Sequence, residues 1–157
     1  MRKLLVASSL ALCLAAPASA RAMGLELSLG KGATVSPDTK AQPLNLMAAP
    51  GISFVVVRLQ LGLVADLPDV QNSKFDIGLR PMLTISPPIL PLYGRVVFAV
   101  NNMIHGDRRS FTYGGALGLS FGLAGVGVFA EAGLLPRVKS GVTAWVIEGR
   151  LGLSLGF

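Results

Sequence analysis

Apolar side chains alternate with glycine, polar or charged side chains along almost the whole sequence after residue 20. A period of two is typical of β-strands, because successive side chains of a strand point to opposite faces. Eight segments follow this period, and we predict strands over residues 23–31, 42–49, 52–65, 74–86, 91–101, 110–122, 124–134 and 142–157. The second segment, 42–49, has the weakest pattern, and the strand count is even only if it forms.

The composition is unusual for a protein with a polar surface. Hydrophobic residues make up 52% of the chain and charged residues only 14%, with 19 glycines and a mean hydropathy of +0.62. A soluble domain usually carries about 25% charged residues. No segment after residue 20 has the roughly 18 uninterrupted apolar residues of a membrane-spanning helix, so a closed transmembrane β-barrel is the membrane-compatible fold that remains.

Residues 1–20 have the features of a secretory signal peptide. A basic start is followed by an apolar run and by an A-x-A cleavage motif that ends at Ala20. We expect cleavage there to leave residues 21–157 as one barrel domain. Cleavage would also remove Cys13, the only cysteine, so the mature chain would have neither disulfides nor thiolate ligands.

The last predicted strand has the clearest alternation. Its predicted outward face holds Trp145, Ile147, Leu151, Leu153, Leu155 and Phe157, and its other face holds Glu148, Arg150, Gly152, Ser154 and Gly156. A final strand that ends on an outward aromatic resembles the small, about eight-stranded bacterial outer-membrane β-barrel proteins. The resemblance implies an all-β, closed antiparallel up-and-down transmembrane barrel in the outer membrane. It also implies that Phe157 is an insertion signal for the barrel-insertion machinery. Aromatic residues, at 6%, are fewer than the girdles of such barrels usually contain.

Short and long connections alternate between the predicted strands. The short links are predicted at residues 50–51, 87–90 and 123, and the longer polar links at 32–41, 66–73, 102–109 and 135–141. Short periplasmic turns alternate with longer external loops in outer-membrane barrels. Both chain termini are therefore predicted to lie on the periplasmic side.

The alternation alone does not decide which face is inside, because a soluble periplasmic lipocalin-like barrel has the same period with its apolar face inward. Eight strands enclose only enough space for side chains to fill, and an apolar face from every strand would overpack it. We therefore predict apolar side chains outside and glycine, serine and charged side chains inside. Phe54 and Phe129 break this rule; we expect a bulge near Val55 to accommodate the first and neighbouring glycines the second.

Charged residues at the inward positions form a candidate lumen charge network. Its members are Glu26, Arg58, Asp76, Arg80, Arg95, Glu131, Glu148 and Arg150, and Lys74 shares their face. Cations and anions are nearly balanced, so we expect these side chains to pair and plug the lumen. A narrow porin-like channel for small solutes or ions is the alternative.

No catalytic, cofactor or metal site is predicted, and we do not expect an enzyme. His105, the only histidine, lies in the predicted loop 102–109 without the His/Ser/acid pattern of the lipid-modifying outer-membrane hydrolases. One histidine and isolated carboxylates are too few ligands for a metal. In the same loop, Asp107, Arg108 and Arg109 are a candidate surface for anionic lipopolysaccharide headgroups. A merely solvated loop is the simpler interpretation.

The charge of the chain argues against nucleic-acid binding. The net charge of +6 falls to +4 when Arg2 and Lys3 are cleaved off, and the basic residues are spread singly. Expected partners are outer-membrane lipid, lipopolysaccharide and the barrel-insertion machinery; the sequence identifies no specific ligand. We favour a barrel of structural or interaction type over a pore or a lipid-modifying enzyme.

Overall fold

The computed structural model describes residues 21–67, 75–87, 90–104, 109–123 and 125–156. The strands of this part of the chain are β1 (Arg21–Ser36), β2 (Lys40–Ala41), β3 (Asn45–Phe54), β4 (Val57–Asp66), β5 (Asp76–Ile85), β6 (Leu92–Asn101), β7 (Ser110–Leu123), β8 (Val126–Lys139) and β9 (Val142–Gly156). Within these ranges, no helix is long and apolar enough to cross a membrane.

Eight of these strands close into a single antiparallel barrel. From β3 to β9, each strand pairs with the next one along the chain, and β1 pairs with both β3 and β9. The β1–β9 seam runs from Gly24 opposite Gly156 to Ser36 opposite Trp145. The two-residue β2 pairs with β1 beyond the point where β3 begins. The predicted closed up-and-down barrel, including its weak second strand, is confirmed.

The barrel wall is taller on one side than on the other. β1, β7, β8 and β9 contain between 14 and 16 residues, whereas β3 to β6 contain 10 each. A tilted ten-residue strand spans roughly 25 Å, about the height of the apolar band of an outer-membrane barrel. The end of the barrel that holds Gly24 and Gly156 is called here the terminal end, and the opposite end is called the loop end. At the loop end, β1 extends beyond the first residue of β3, because Asn45 lies opposite Gly30 and β1 continues to Ser36.

The predicted short link at residues 50–51 is wrong. β3 continues through Pro50 and Gly51, which lie opposite Leu25 and Gly24 of β1. The chain turns instead at residues 55–56, where Val55 has a φ of 39°. A proline and a glycine are common turn residues, but here the ladder to β1 continues past them and the turn forms at two valines. β4 consequently begins at Val57 and not at residue 52.

The predicted long link at residues 135–141 is also wrong. β8 continues to Lys139, which lies opposite Val142 of β9. The connection contains only Ser140 and Gly141, with φ values of 48° and 80°. Two consecutive positive φ values are typical of the tight hairpin turn that matches the twist of its strands. The link predicted at residues 32–41 is likewise shorter, because β1 extends to Ser36.

Candidate functional site

The barrel has an apolar outer surface and a polar interior. Leu151 is 66% exposed, while its neighbour in sequence, Arg150, is 2% exposed. Ile147 and Leu153 are about half exposed, and Glu148 is buried. The predicted orientation is therefore confirmed. The lipocalin-like alternative is wrong, because it requires the apolar face to lie inside.

Seven predicted members of the charge network form one continuous series of ion pairs, which we call the ion-pair chain. Its order is Arg58, Glu26, Arg95, Glu131, Arg150, Glu148 and Arg80. These residues come from six of the eight barrel strands. Six strands are thereby tied together through the lumen as well as around the wall.

Glu26 is the central carboxylate in the half of the ion-pair chain that lies nearer the terminal end. Its carboxylate accepts hydrogen bonds from Arg58 at 2.8 Å and from Arg95 at 3.1 and 2.8 Å. Arg95 also donates from Nε to the hydroxyl of Thr84 at 2.9 Å, and its Nη1 lies 2.9 Å from Glu131. Arg95 therefore connects two carboxylates that stand on different strands.

Glu148 is the central carboxylate in the other half of the ion-pair chain. Its carboxylate accepts two hydrogen bonds from Arg80, at 2.6 and 2.9 Å, and a third from Arg150 at 2.9 Å. The guanidinium of Arg150 also donates to Ser28 at 3.0 Å and to Asn45 at 2.6 Å. Charge-assisted and two-point hydrogen bonds of this kind are the strongest in proteins.

Tyr93 and Phe129 belong to the same cluster, although the sequence analysis did not place Tyr93 in it. The Tyr93 hydroxyl donates to Glu131 at 2.8 Å. The guanidinium of Arg95 lies 5.1 Å from the Tyr93 ring centre and 5.5 Å from that of Phe129. These distances are in the range of cation–π attraction. The aromatic rings thus surround the middle of the ion-pair chain.

Glycines on the inner wall provide the space for these large side chains. A Cβ at Gly30 would lie 2.6 Å from Nη2 of Arg150, and one at Gly152 would lie 2.6 Å from the Phe129 ring. The prediction that glycines accommodate Phe129 is confirmed. A third glycine, Gly118, faces the ring of Tyr93 in the same way.

The lumen also contains an apolar cluster that the sequence analysis missed. Its buried residues are Met47, Ala49, Val64, Met82, Val97, Leu135 and Val146. Several lie in segments such as Val96 to Phe98, where apolar residues occupy both faces and the period of two is hidden. The interior is therefore less polar than predicted.

A hydrogen-bonded cap lies near the loop end of the lumen. Arg137 donates to the side chain of Gln42 at 2.6 Å, and Gln42 donates to the hydroxyl of Thr34 at 2.6 Å. The backbone N–H of Gln42 also donates to the carbonyl of Gly32 at 2.8 Å. The sequence pattern does not predict this cap, because Arg137 falls in the link predicted at residues 135–141.

Of the remaining predicted site residues, the structure describes Asp76 and Arg109. Asp76, the eighth member of the network, is buried, and its carboxylate accepts hydrogen bonds from the backbone N–H groups of Ile77 and Ile104 at 2.8 and 3.0 Å. Arg109 is exposed beside β7. Outside the described residues lie Lys74, His105, Asp107, Arg108 and Phe157. The described residues contain no group of His, Cys, Asp and Glu able to hold a metal ion.

The sequence matches no protein-family model and no curated protein. Among solved structures, the crystal structure of Neisserial surface protein A (NspA) is similar, with a TM-score of 0.58 and 12% identity over 88% of this chain and 97% of that chain. The N-terminal β-barrel domain of Pseudomonas aeruginosa OprF has a TM-score of 0.51 and 16% identity over 85% of this chain and 97% of that chain. Both are small eight-stranded outer-membrane β-barrels. This chain therefore has the fold of the small eight-stranded outer-membrane β-barrels.

Proposed function

We propose that this protein is an outer-membrane β-barrel of structural or interaction type, with a plugged polar lumen and with its function carried by the external loops. The observation that carries the proposal is the division between the two faces of the wall. Large apolar side chains such as Leu63 and Leu117 are 61% and 74% exposed, while Arg80 and Arg95 are 4% and 3% exposed. Such a surface is suited to acyl chains and not to water.

The positions of exposed aromatic and basic residues support insertion into a bilayer. Phe111 and Trp145 are exposed toward the loop end, and Phe121 toward the terminal end, where membrane–water interfaces would lie. Lys31 is exposed on β1 at the position opposite Gly149. It lies roughly 20 Å above the start of the strand, at the level where a lysine reaches lipid headgroups. Outer-membrane lipid and lipopolysaccharide are therefore the partners we propose for the outer wall. The terminal end would then face the periplasm.

The ion-pair chain supports a plugged lumen over a narrow porin-like channel. Eight strands leave little open cross-section, and here long side chains from six strands meet within it. A permeating ion would have to separate buried charges that lie 2.6 to 2.9 Å apart. A rigid, plugged scaffold leaves the external loops as the variable, functional part. The proposal does not include an enzymatic activity.

Two measurements test this proposal. Protein extracted from outer membranes with detergent is expected to migrate differently on a gel before and after boiling, because a folded barrel resists unfolding by the detergent. Release of the protein by mild osmotic shock would contradict the membrane location. In planar bilayers, the purified protein is expected to give no steady current above that of a protein-free bilayer. Persistent, uniform current steps would instead favour the channel.

A further inference from the structure

A cavity of about 370 Å³ opens at the terminal end of the barrel. The polar side chains among its lining residues are those of Arg58, Ser53, Ser120 and Ser154; the rest of the lining is glycine and the apolar residues Met23, Leu123, Val126 and Leu155. No aspartate or glutamate is among the described residues that line it. The cavity therefore presents hydrogen-bond donors and one positive charge. The carboxylate of Glu26, which lies opposite Ser154 in the β1–β9 ladder, does not line it and accepts a hydrogen bond from Arg58.

The ion-pair chain carries a surplus positive charge. It contains four arginines and three glutamates, and it ends on an arginine at each side. At one end, the Arg80 side chain is 4% exposed and bonds both oxygens of Glu148. At the other end, the Arg58 side chain is 38% exposed. The surplus charge is thus most accessible at Arg58.

Arg58 shares its only described carboxylate partner. Its Nη1 donates to Oε1 of Glu26, while Arg95 bonds both oxygens of the same carboxylate. The Nε of Arg58 donates to Ser53, which leaves the hydroxyl proton of Ser53 available to a further acceptor. A fixed guanidinium with an accessible edge and adjacent hydroxyls is a geometry that binds oxyanions.

We propose that the terminal end of the barrel holds a binding site for a phosphate-type oxyanion, centred on Arg58 and the three serines. Four donor groups around one cavity suit a tetrahedral anion with several acceptor oxygens better than a planar carboxylate. The anion is either free phosphate or the phosphate of a lipid headgroup. The site rests on the barrel fold and does not depend on the proposed membrane location or on the plug.

The test uses the protein folded in micelles of a phosphate-free zwitterionic detergent such as an amine oxide, and it follows the backbone amide signals of Gly127 and Ser154, which line the cavity, by NMR. Inorganic phosphate and a short-chain phosphatidylglycerol are titrated separately at constant ionic strength, with acetate as the planar comparison. We expect saturable shifts of these amides with at least one phosphate probe. A response to the lipid alone identifies a headgroup as the source.

Two variants separate a site from general attraction. Arg58→Gln is expected to weaken binding by about tenfold or more, as the loss of a charged hydrogen-bond donor usually does. The variant should fold, because Arg95 still neutralises Glu26, and its gel mobility before boiling checks this. Lys139→Gln removes one exposed charge at the loop end and should leave the affinity unchanged. The proposal is overturned if neither phosphate probe gives saturable shifts, if acetate binds equally well, or if both variants weaken binding to the same extent.

Discussion

Arg95 and Glu26 are joined inside the barrel by two hydrogen bonds, from Nη2 of the guanidinium to both carboxylate oxygens, at 3.1 and 2.8 Å. The two residues are 69 positions apart in the sequence. They stand on β6 and β1, which are not neighbours in the wall. Each is 3% exposed, so both charges lie away from water and each neutralises the other.

Replacing Glu26 with glutamine should destabilise the barrel because it leaves Arg95 with less counter-charge in a buried setting. We expect a loss of about 3 kcal/mol in the free energy of unfolding. Urea unfolding in lipid vesicles, followed by the fluorescence of Trp145, the only tryptophan, measures it. The control Arg58→Gln removes the half-exposed partner and should cost less than about 1 kcal/mol. Equal losses in both variants would contradict the central position of Glu26.

Arg80 and Glu148 should behave as a coupled pair. Either Arg80→Met or Glu148→Leu alone leaves a buried charge without its two-point partner, whereas the double variant removes both charges. A double-mutant cycle on the free energy of unfolding is expected to give a coupling of about 2 kcal/mol. Strictly additive losses would show that the hydrogen bonds at 2.6 and 2.9 Å do not act as one unit.

Gly118 should not tolerate a side chain. A Cβ there would overlap the ring of Tyr93, so Gly118→Ala must displace the ring and disturb its hydrogen bond to Glu131. We expect a loss of about 1 to 3 kcal/mol, the usual cost of overpacking. Gly149→Ala is the matched control, because a Cβ at that position meets no atom within 4 Å. A loss of the same size at Gly149 would point to strand glycines in general and not to the ring.

Replacing Val55 with a residue that adopts a positive φ more readily should stabilise the barrel. Its φ of 39° is rare for a β-branched residue, and such a conformation costs of the order of 1 to 3 kcal/mol. We expect Val55→Asn to raise the free energy of unfolding by about 1 kcal/mol, since asparagine adopts this region more readily. Val56→Asn, in the same turn, is the control and should give no gain. Equal effects of both changes would contradict this explanation.

A charged side chain at position 151 should destabilise the barrel if this position faces acyl chains. Leu151→Arg is expected to reduce stability in lipid vesicles by about 2 to 4 kcal/mol. Val35→Arg, on the part of β1 that projects at the loop end, should cost at most about 1 kcal/mol because an arginine there reaches the headgroups. Chemical unfolding of both variants in vesicles provides the comparison. Two equally small losses would argue that the band around Leu151 does not contact lipid.

The strands, and which of their side chains point inward, can be predicted from the sequence. The period of two assigns alternate residues of a strand to opposite sides of the wall. Once Leu151 is taken as outward, Arg150 must be inward, and the structure confirms both. The partners of each charge do not follow from the period. Strand tilt and stagger set the height of each residue, and they place Arg95 on β6 beside Glu26 on β1, across the lumen.

The predicted links that are wrong lie in segments whose composition is typical of a turn or loop but which pair with a neighbouring strand. Pro50 and Gly51 are typical of a turn, yet they pair with β1, and the turn forms at Val55. Pro136, Ser140 and Gly141 are typical of a loop, yet the segment from Pro136 to Lys139 continues β8. In each case the energy of pairing with a neighbouring strand outweighs a local preference of the chain.

The seam between β1 and β9 joins the first and last strands of the barrel. Arg150 crosses this seam to Ser28, and the ladder runs beside it from Gly24 to Ser36. Until β9 arrives, β1 and β8 each present an open edge with unsatisfied backbone groups, and Glu148 and Arg150 are missing from the interior. Pairing of β9 with β1 therefore closes the sheet and brings Glu148 and Arg150 to their buried partners in the same step.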